Sequence, residues 1–429
     1  MQRVDESLTG RRLLLISANY APEHAGIAPY STRTAEHLAA CGAEVEVLAG
    51  MPHYPAWRVH EDYRGRWRMV ETRAGVRVHR RRHFVPSRQT ALLRALYEVS
   101  FLAHASLAPP AGRPDLVISQ MPALAGAFAG GRIARRHGVP HVVVVQDLMG
   151  AAAAQSGIRG GDHVASLVAG VEAKVLRTAS LIGVVHESFV EPVTARGVPA
   201  PRVRVVPNWT HVAAPTADRR AVRARLGWSE EEFVVLHSGN MGLKQGLEVL
   251  VDTARVAARA TPRMRVVLMG DGSRRADLQR LATDLPNVDL LPPAADSDFP
   301  DVLAAADVLA VTQRASVVDM SLPSKLTSYF ASGRPVVASV APHGGTAQEV
   351  RRAGAGLVVR PEDPEALHDA VAELIRDPER SAALGARGPA YVRERLSPQA
   401  GLARITAMVS EALAHSAGEP EARPASAPR

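Results

Sequence analysis

The 429-residue sequence holds a single cysteine, Cys41. An internal disulfide is therefore impossible, and a cysteine-based zinc cluster is not expected, which fits a reducing cytoplasm. Aromatic residues make up only 4% of the chain. That is too few for the stacking platforms that hold single-stranded nucleic acid, and no nucleic-acid-binding motif accompanies the positive charge. Long apolar runs are also missing. The N-terminal MQRVDESLTGRR leads only into Leu13 to Ile16, too short for a signal-peptide core. The apolar region Leu92 to Ala108 is interrupted by Arg94, Glu98 and His104 and falls short of a spanning helix, although it suits a membrane surface. Neither a G-x-G-x-x-G fingerprint nor a Walker A loop is present, which argues against dehydrogenase and P-loop kinase chemistry. No cluster of histidine, cysteine and aspartate has metal-ligand spacing.

The length exceeds what one core usually supports, so two domains of roughly 200 residues are expected. A net charge of +8 calls for an anionic partner. The excess is local: between Arg58 and Arg94 stand eleven arginines against Glu61, Asp62 and Glu71. Two readings compete, a patch for membrane phospholipid or phosphorylated lipid and a solvated arginine-rich hairpin. Continuous Val/Ile/Leu strands alternate with helical patterns from Arg12 to Val206, and the alternation restarts at Phe233. This predicts doubly wound parallel-sheet domains over 1–207 and 219–397, joined by a linker at 208–218. A helix over 398–415 follows, with a return to the first domain as one option, and then a disordered tail over 416–429.

The stretch Asp319 to Val337, DMSLPSKLTSYFASGRPVV, is suited to hold a diphosphate. Pro323 fits the first turn of a helix, which puts Ser324 and Lys325 where free N–H groups and the helix dipole stabilise an anion. Leu326, Tyr329 and Phe330 give that helix its buried face, and Gly333 stops it. A capped helix with a solvated lysine is the plain alternative. Glycine loops follow the first strand of each half, with Gly26 in NYAPEHAGIAPY and Gly239 in SGNMGLKQG, and Gly270-Asp271-Gly272 closes a later strand. Such loops let backbone approach a ligand or simply turn the chain. Asp271, Asp296 and Asp298 read best as helix caps. Asp147 ends a buried strand and is a candidate for acceptor activation, with helix capping as the alternative. The rigid loop Met51 to Trp57 suits either an acceptor contact or a packed turn.

Together, the segments NYAPEHAGIAPYS, AGMPHYPAW, VVQDLMGAAAAQSG, VVPNW, SGNMGLKQGLEVL, MGDGS and DMSLPSKLTSYFASGRPVV resemble GT-B glycosyltransferases of family four. Within that family they are similar to bacterial exopolysaccharide transferases of the colanic-acid fucosyltransferase type. The resemblance implies an α/β GT-B fold, two Rossmann-like domains facing a central cleft. It implies retaining transfer of a sugar from a nucleoside-diphosphate donor to a lipid-linked or saccharide acceptor, with no metal or cofactor and no nucleic acid. A cytoplasmic chain, attached at the inner face of an anionic membrane, is the expected setting. By motif position, Asp147, Asp319 and Lys325 are the catalytic candidates. Gly26, Gly239, Asn240, Lys244, Gln245, Gly270, Ser324, Lys325 and Ser328 would meet the donor, and Glu23, His53 and Tyr54 the acceptor. Three departures stand out. Ser328 occupies the place of a ribose-holding glutamate, Gln146 that of a histidine, and Asn240 and Gln245 those of an arginine and a lysine. Alternatives on the same fold are a soluble acceptor, such as an inositol phosphate or a natural-product aglycone, and nucleotide-sugar epimerisation.

Overall fold

The computed structural model describes residues 7–87, 90–107, 110–148, 161–210, 212–317 and 325–418. The chain divides into two compact units, Met1–Asn208 with Leu402–Arg429, and Trp209–Gly401.

The first unit is built on eight strands: β1 (Arg12–Ser17), β2 (Glu44–Gly50), β3 (Arg68–Arg73), β4 (Val76–Arg81), β5 (Leu116–Gln120), β6 (His141–Val145), β7 (Leu181–Val184) and β8 (Val203–Val205). Their spatial order is β3-β4-β2-β1-β5-β6-β7-β8. The runs LVISQ and HVVVV are buried at every position, as strands covered on both faces must be. Covering helices are α1 (Ala28–Ala40), α2 (Ala91–Leu107), α3 (Leu124–His137), α4 (Gly161–Thr178) and α5 (Val190–Ala195). Every strand pair is parallel except β3–β4, an antiparallel hairpin at the sheet edge. Ala74 and Gly75 carry φ of 45° and 80°, the two positive values that a tight hairpin turn needs. Within the arginine-rich segment, residues 68–81 are therefore a hairpin in which Arg80 and Arg81 are buried, and its strand β3 alternates exposed and half-buried positions.

The second unit holds β9 (Phe233–Ser238), β10 (Met264–Met269), β11 (Val288–Leu291), β12 (Val308–Thr312), β13 (Val336–Ser339) and β14 (Gly356–Val359), in the order β11-β10-β9-β12-β13-β14, all parallel. Its helices are α6 (Arg219–Leu226), α7 (Glu248–Ala260), α8 (Arg275–Leu281), α9 (Phe299–Ala305), α10 (Lys325–Ala331), α11 (Gly345–Ala353), α12 (Pro364–Arg376) and α13 (Pro378–Arg395). Two cores, one on each face of the sheet, hold it: Leu236, Val311, Tyr329 and Phe330 on one side, Leu250, Val266, Leu268 and Val371 on the other. The order reverses between β9 and β12, so the loops after these strands open on the switch point where open α/β sheets take ligands. The segment entering this unit is fastened, not free: Trp209 is buried, and the N–H groups of Thr216 and Ala217 donate to Asp301 Oδ1 at 2.6 and 3.0 Å.

The last helix, α14 (Pro398–Gly418), runs beyond the expected His415, because Ser416 to Gly418 continue its turn. From Leu402 it belongs to the first unit. There Thr406 Oγ1 meets His37 Nε2 at 2.9 Å, and Arg204 Nε donates to Glu411 Oε2 at 3.0 Å. Among the described residues no helix is long and apolar enough to cross a membrane.

Candidate active site

In the second unit, Lys325 opens α10, and Leu326, Thr327, Tyr329 and Phe330 bury that helix. Tyr329 fixes its position against the sheet. The Tyr329 hydroxyl accepts from Ser238 N at 2.7 Å and lies 3.2 Å from Ser238 O, at the carboxyl end of β9. This brings Lys325 Nζ to 3.2 Å from Nε2 of His237, a fully buried side chain. With Nε2 as acceptor, the imidazole carries its proton on Nδ1. Burial, and then the lysine charge, holds His237 far below the ordinary histidine range, so it stays neutral. Burial likewise lowers Lys325 to about 7.

The ammonium faces Gly239. A Cβ built on that residue would lie 3.5 Å from Lys325 Nζ, and its φ of +121° is one that side chains rarely adopt. Gly270 packs from the next loop, where an added Cβ would stand 1.9 Å from Gly239 O. Glycine is thus required at 270 for the two loops to touch. The Asn240 side chain lies over Gly242 and Gly272. Gln245 Oε1 accepts from Gly242 N at 3.1 Å, and Lys244 is exposed. Ser328 is half-buried, one turn after Lys325. Asp319 and Ser324 lie outside the described residues.

Several side chains were not singled out from the sequence. His237 reads there as one more position of a buried strand. Arg314 braces the loop by donating from Nε to Leu243 O at 2.9 Å and pairing with Glu248 and Glu362, each at 3.2 Å. Glu248 also takes Arg274 at 2.7 Å; burial pushes its carboxyl up, but its own backbone N–H and then these two guanidiniums hold it below the usual range. Two of the aspartates expected to cap helices, Asp271 and Asp298, act differently. Asp271 Oδ1 accepts from the adjacent Gly272 N at 2.7 Å, while Asp298 makes no side-chain cap and pairs with Arg225 at 2.8 Å. A nearby guanidinium outcompetes a backbone N–H for a carboxylate.

In the first unit, Glu23 is buried, and its carboxylate clasps two loops. Oε1 accepts from His53 N at 2.6 Å and Tyr54 N at 2.8 Å, and Oε2 accepts from Tyr20 N at 3.2 Å. Its oxygens are thus engaged in holding the two neighbouring candidates. Gly26, at φ +63°, leaves room for the Tyr54 ring, which would stand 3.0 Å from a Cβ there. His53 is buried with His83 and Tyr97, their ring centres 4.9 and 5.5 Å from its own. Burial lowers His53 despite Glu23, and lowers His83 to about 3, so both rings are neutral near pH 7. Asp147 stands just past β6, beside Gln146, whose Oε1 accepts from Asn208 Nδ2 at 2.6 Å. Residues 149–160, on which helix capping by Asp147 depends, lie outside the described residues. Among the described residues no group of three or more His, Cys, Asp or Glu is placed to hold a metal ion.

A lowered lysine facing a glycine loop makes a testable proton balance. An anion at the ammonium raises the Lys325 pKa, so at pH 8, where the free amine is mostly neutral, binding a nucleoside diphosphate takes up a proton. Affinity is expected to fall as pH rises above about 7 and, so far as Lys325 sets its pH dependence, to be flat below it, where the ammonium is fully formed. Calorimetry in buffers of different ionisation enthalpy measures the uptake; none at pH 8 would contradict contact between the anion and this amine.

Two doubly wound α/β units with such loops define the GT-B class of glycosyltransferase. Residues 25–209 match the family model "Glycosyl transferase 4-like domain", and residues 232–377 match "Glycosyl transferases group 1". The chain is 31% identical over 369 residues to WcaI of Escherichia coli (strain K12), named for colanic acid biosynthesis glycosyl transfer, covering 83% of this chain and 90% of WcaI. It therefore belongs to the family-four GT-B glycosyltransferases. It is also 31% identical over 188 residues to a GDP-mannose-dependent monoacylated phosphatidylinositol monomannoside mannosyltransferase of Corynebacterium glutamicum, covering 43% of this chain and 49% of that one. Among solved structures, sucrose-phosphate synthase from Thermosynechococcus elongatus shares the fold, with a TM-score of 0.71 at 19% identity over 94% of this chain and all of that one.

Proposed function

We propose that the protein is a retaining hexosyltransferase that moves a sugar from a nucleoside-diphosphate donor to a lipid-linked or saccharide acceptor in polysaccharide or glycolipid assembly. Lys325 carries this reading, because its ammonium faces Gly239 at the carboxyl end of β9 and is held there by His237. The bond from the anomeric carbon to the β-phosphate oxygen breaks, and its electron pair stays with the phosphate. A bond from an acceptor hydroxyl to the same carbon forms, and the hydroxyl proton leaves to the departing phosphate. Negative charge grows on that phosphate as the bond breaks, so a fixed cation beside it stabilises the transition state more than the ground state. Lysine supplies the charge without a metal. The lipid-linked acceptor is supported by the phospholipid substrate in the name of the Corynebacterium relative.

The test is incubation with a panel of nucleotide-sugars and a membrane lipid extract, followed by proton NMR of the product. The anomeric configuration of the donor is expected in the product. Inverted product would overturn retention, and an epimerised free sugar formed without acceptor would overturn transfer.

A further inference from the structure

The first unit carries a surface that donor chemistry leaves unused. Eight large apolar side chains are exposed among the described residues, and six of them, Trp67, Val70, Leu92, Leu96, Val99 and Leu107, lie on the β3 edge and on α2. Leu92 and Leu107 are 79% and 81% exposed. Ala95 and Ala103 are exposed as well, so the outward positions 92, 95, 96, 99, 103 and 107 are all apolar and recur at helical spacing. The opposite face buries Tyr97, Phe101 and Ala105. A helix facing water would carry charge along its outer stripe; this one does not.

The stripe is joined to the strand edge. The Trp67 ring meets His104 of α2 edge-on at 6.4 Å and lies under the Arg82 guanidinium at 5.0 Å. Arg66, Arg68 and Arg82 are exposed and have no carboxylate partner among the described residues. Other arginines of this segment have carboxylate partners: Arg80 pairs with Glu71 at 2.6 Å and Arg64 with Glu61 at 3.3 Å. Apolar side chains, a tryptophan and arginines without a carboxylate partner, gathered along α2 and the adjoining strand edge, make the composition that enters the headgroup region of an anionic bilayer.

We propose that the outward stripe of α2, with the Trp67 edge of β3, docks on a bilayer containing anionic phospholipid. The inference deepens the lipid-linked acceptor reading and rests on it for its purpose. A second copy of the chain is the competing occupant, but a two-fold contact would set the arginine rim against itself.

The test is flotation of the full chain with vesicles of phosphatidylcholine containing roughly one third phosphatidylglycerol at low salt. Wild type is expected to float with these vesicles and not with phosphatidylcholine alone. Leu96→Asp with Val99→Asp should lower partition by at least about tenfold, and Arg66→Gln with Arg68→Gln and Arg82→Gln by about a hundredfold. All five positions are exposed, so both variants should melt with wild type. Wild type left in solution, or both variants floating like wild type, would overturn the proposal. So would a dimer that the Asp variant converts to monomer. Nucleotide binding on the same samples separates the two readings: a chain that binds nucleotide but does not float removes the docking surface and leaves the transferase.

Discussion

Lys325→Ala is expected to lower turnover by about 10²–10³ while the fold is kept. The ammonium is the cation that the structure aims at Gly239, and alanine leaves only helix N–H groups and distant charges to meet the developing phosphate anion. Stability should not follow activity downward. Lys325 is desolvated beside a neutral buried histidine, which is why its pKa is lowered to about 7. Removing it relieves that desolvation, so the variant should melt at or above the wild-type temperature. Lys325→Arg is expected to restore little, because a planar guanidinium is wider than an ammonium and the space between His237 and Gly239 is set for the smaller group. Steady-state transfer with melting of each variant checks the pair. Near-wild-type turnover in the alanine variant would remove Lys325 from the chemistry.

Glu23→Ala should show the opposite pattern, a loss of stability first. Its carboxylate is the acceptor for three backbone N–H groups, those of Tyr20, His53 and Tyr54. Each buried donor left without an acceptor costs about 1–3 kcal/mol, and partial rehydration of the loops brings the sum to about 3–5 kcal/mol. The melting transition of the first unit should drop by roughly 10 °C. Glu23→Gln keeps one oxygen for the His53 and Tyr54 bonds but turns an amide donor toward Tyr20 N, so a smaller drop is expected. Thermal unfolding of the two variants measures both. If Glu23→Ala melts like wild type, the clasp does not hold the loops.

Glu23 also shows where reading the sequence stops. Its place in NYAPEHAGIAPY suggested an acceptor contact, and the structure shows that it reaches 30 residues along the chain to the HYPAW loop. No local pattern encodes such a partner. The same holds for Asp298, whose expected cap is displaced by Arg225, 73 residues away. Two parallel sheets were legible because strands buried on both faces are written as unbroken apolar runs, HVVVV and FVVLHS among them. Strand β3, RMVETR, was not, since an edge strand with one face in water needs few apolar residues. The place of Lys325 at the start of a buried helix was legible from the proline, lysine and apolar spacing around it. Its neighbour His237 was not, because one histidine inside a buried strand gives no sign of what it touches.

The most direct measurement of the central claim is calorimetric titration of uridine, guanosine, adenosine and thymidine diphosphates into wild type and Lys325→Ala. One nucleotide is expected to bind wild type and to bind the variant at least about tenfold more weakly, the loss of one charge-assisted contact. Equal affinity for the two proteins would contradict a diphosphate held at Lys325.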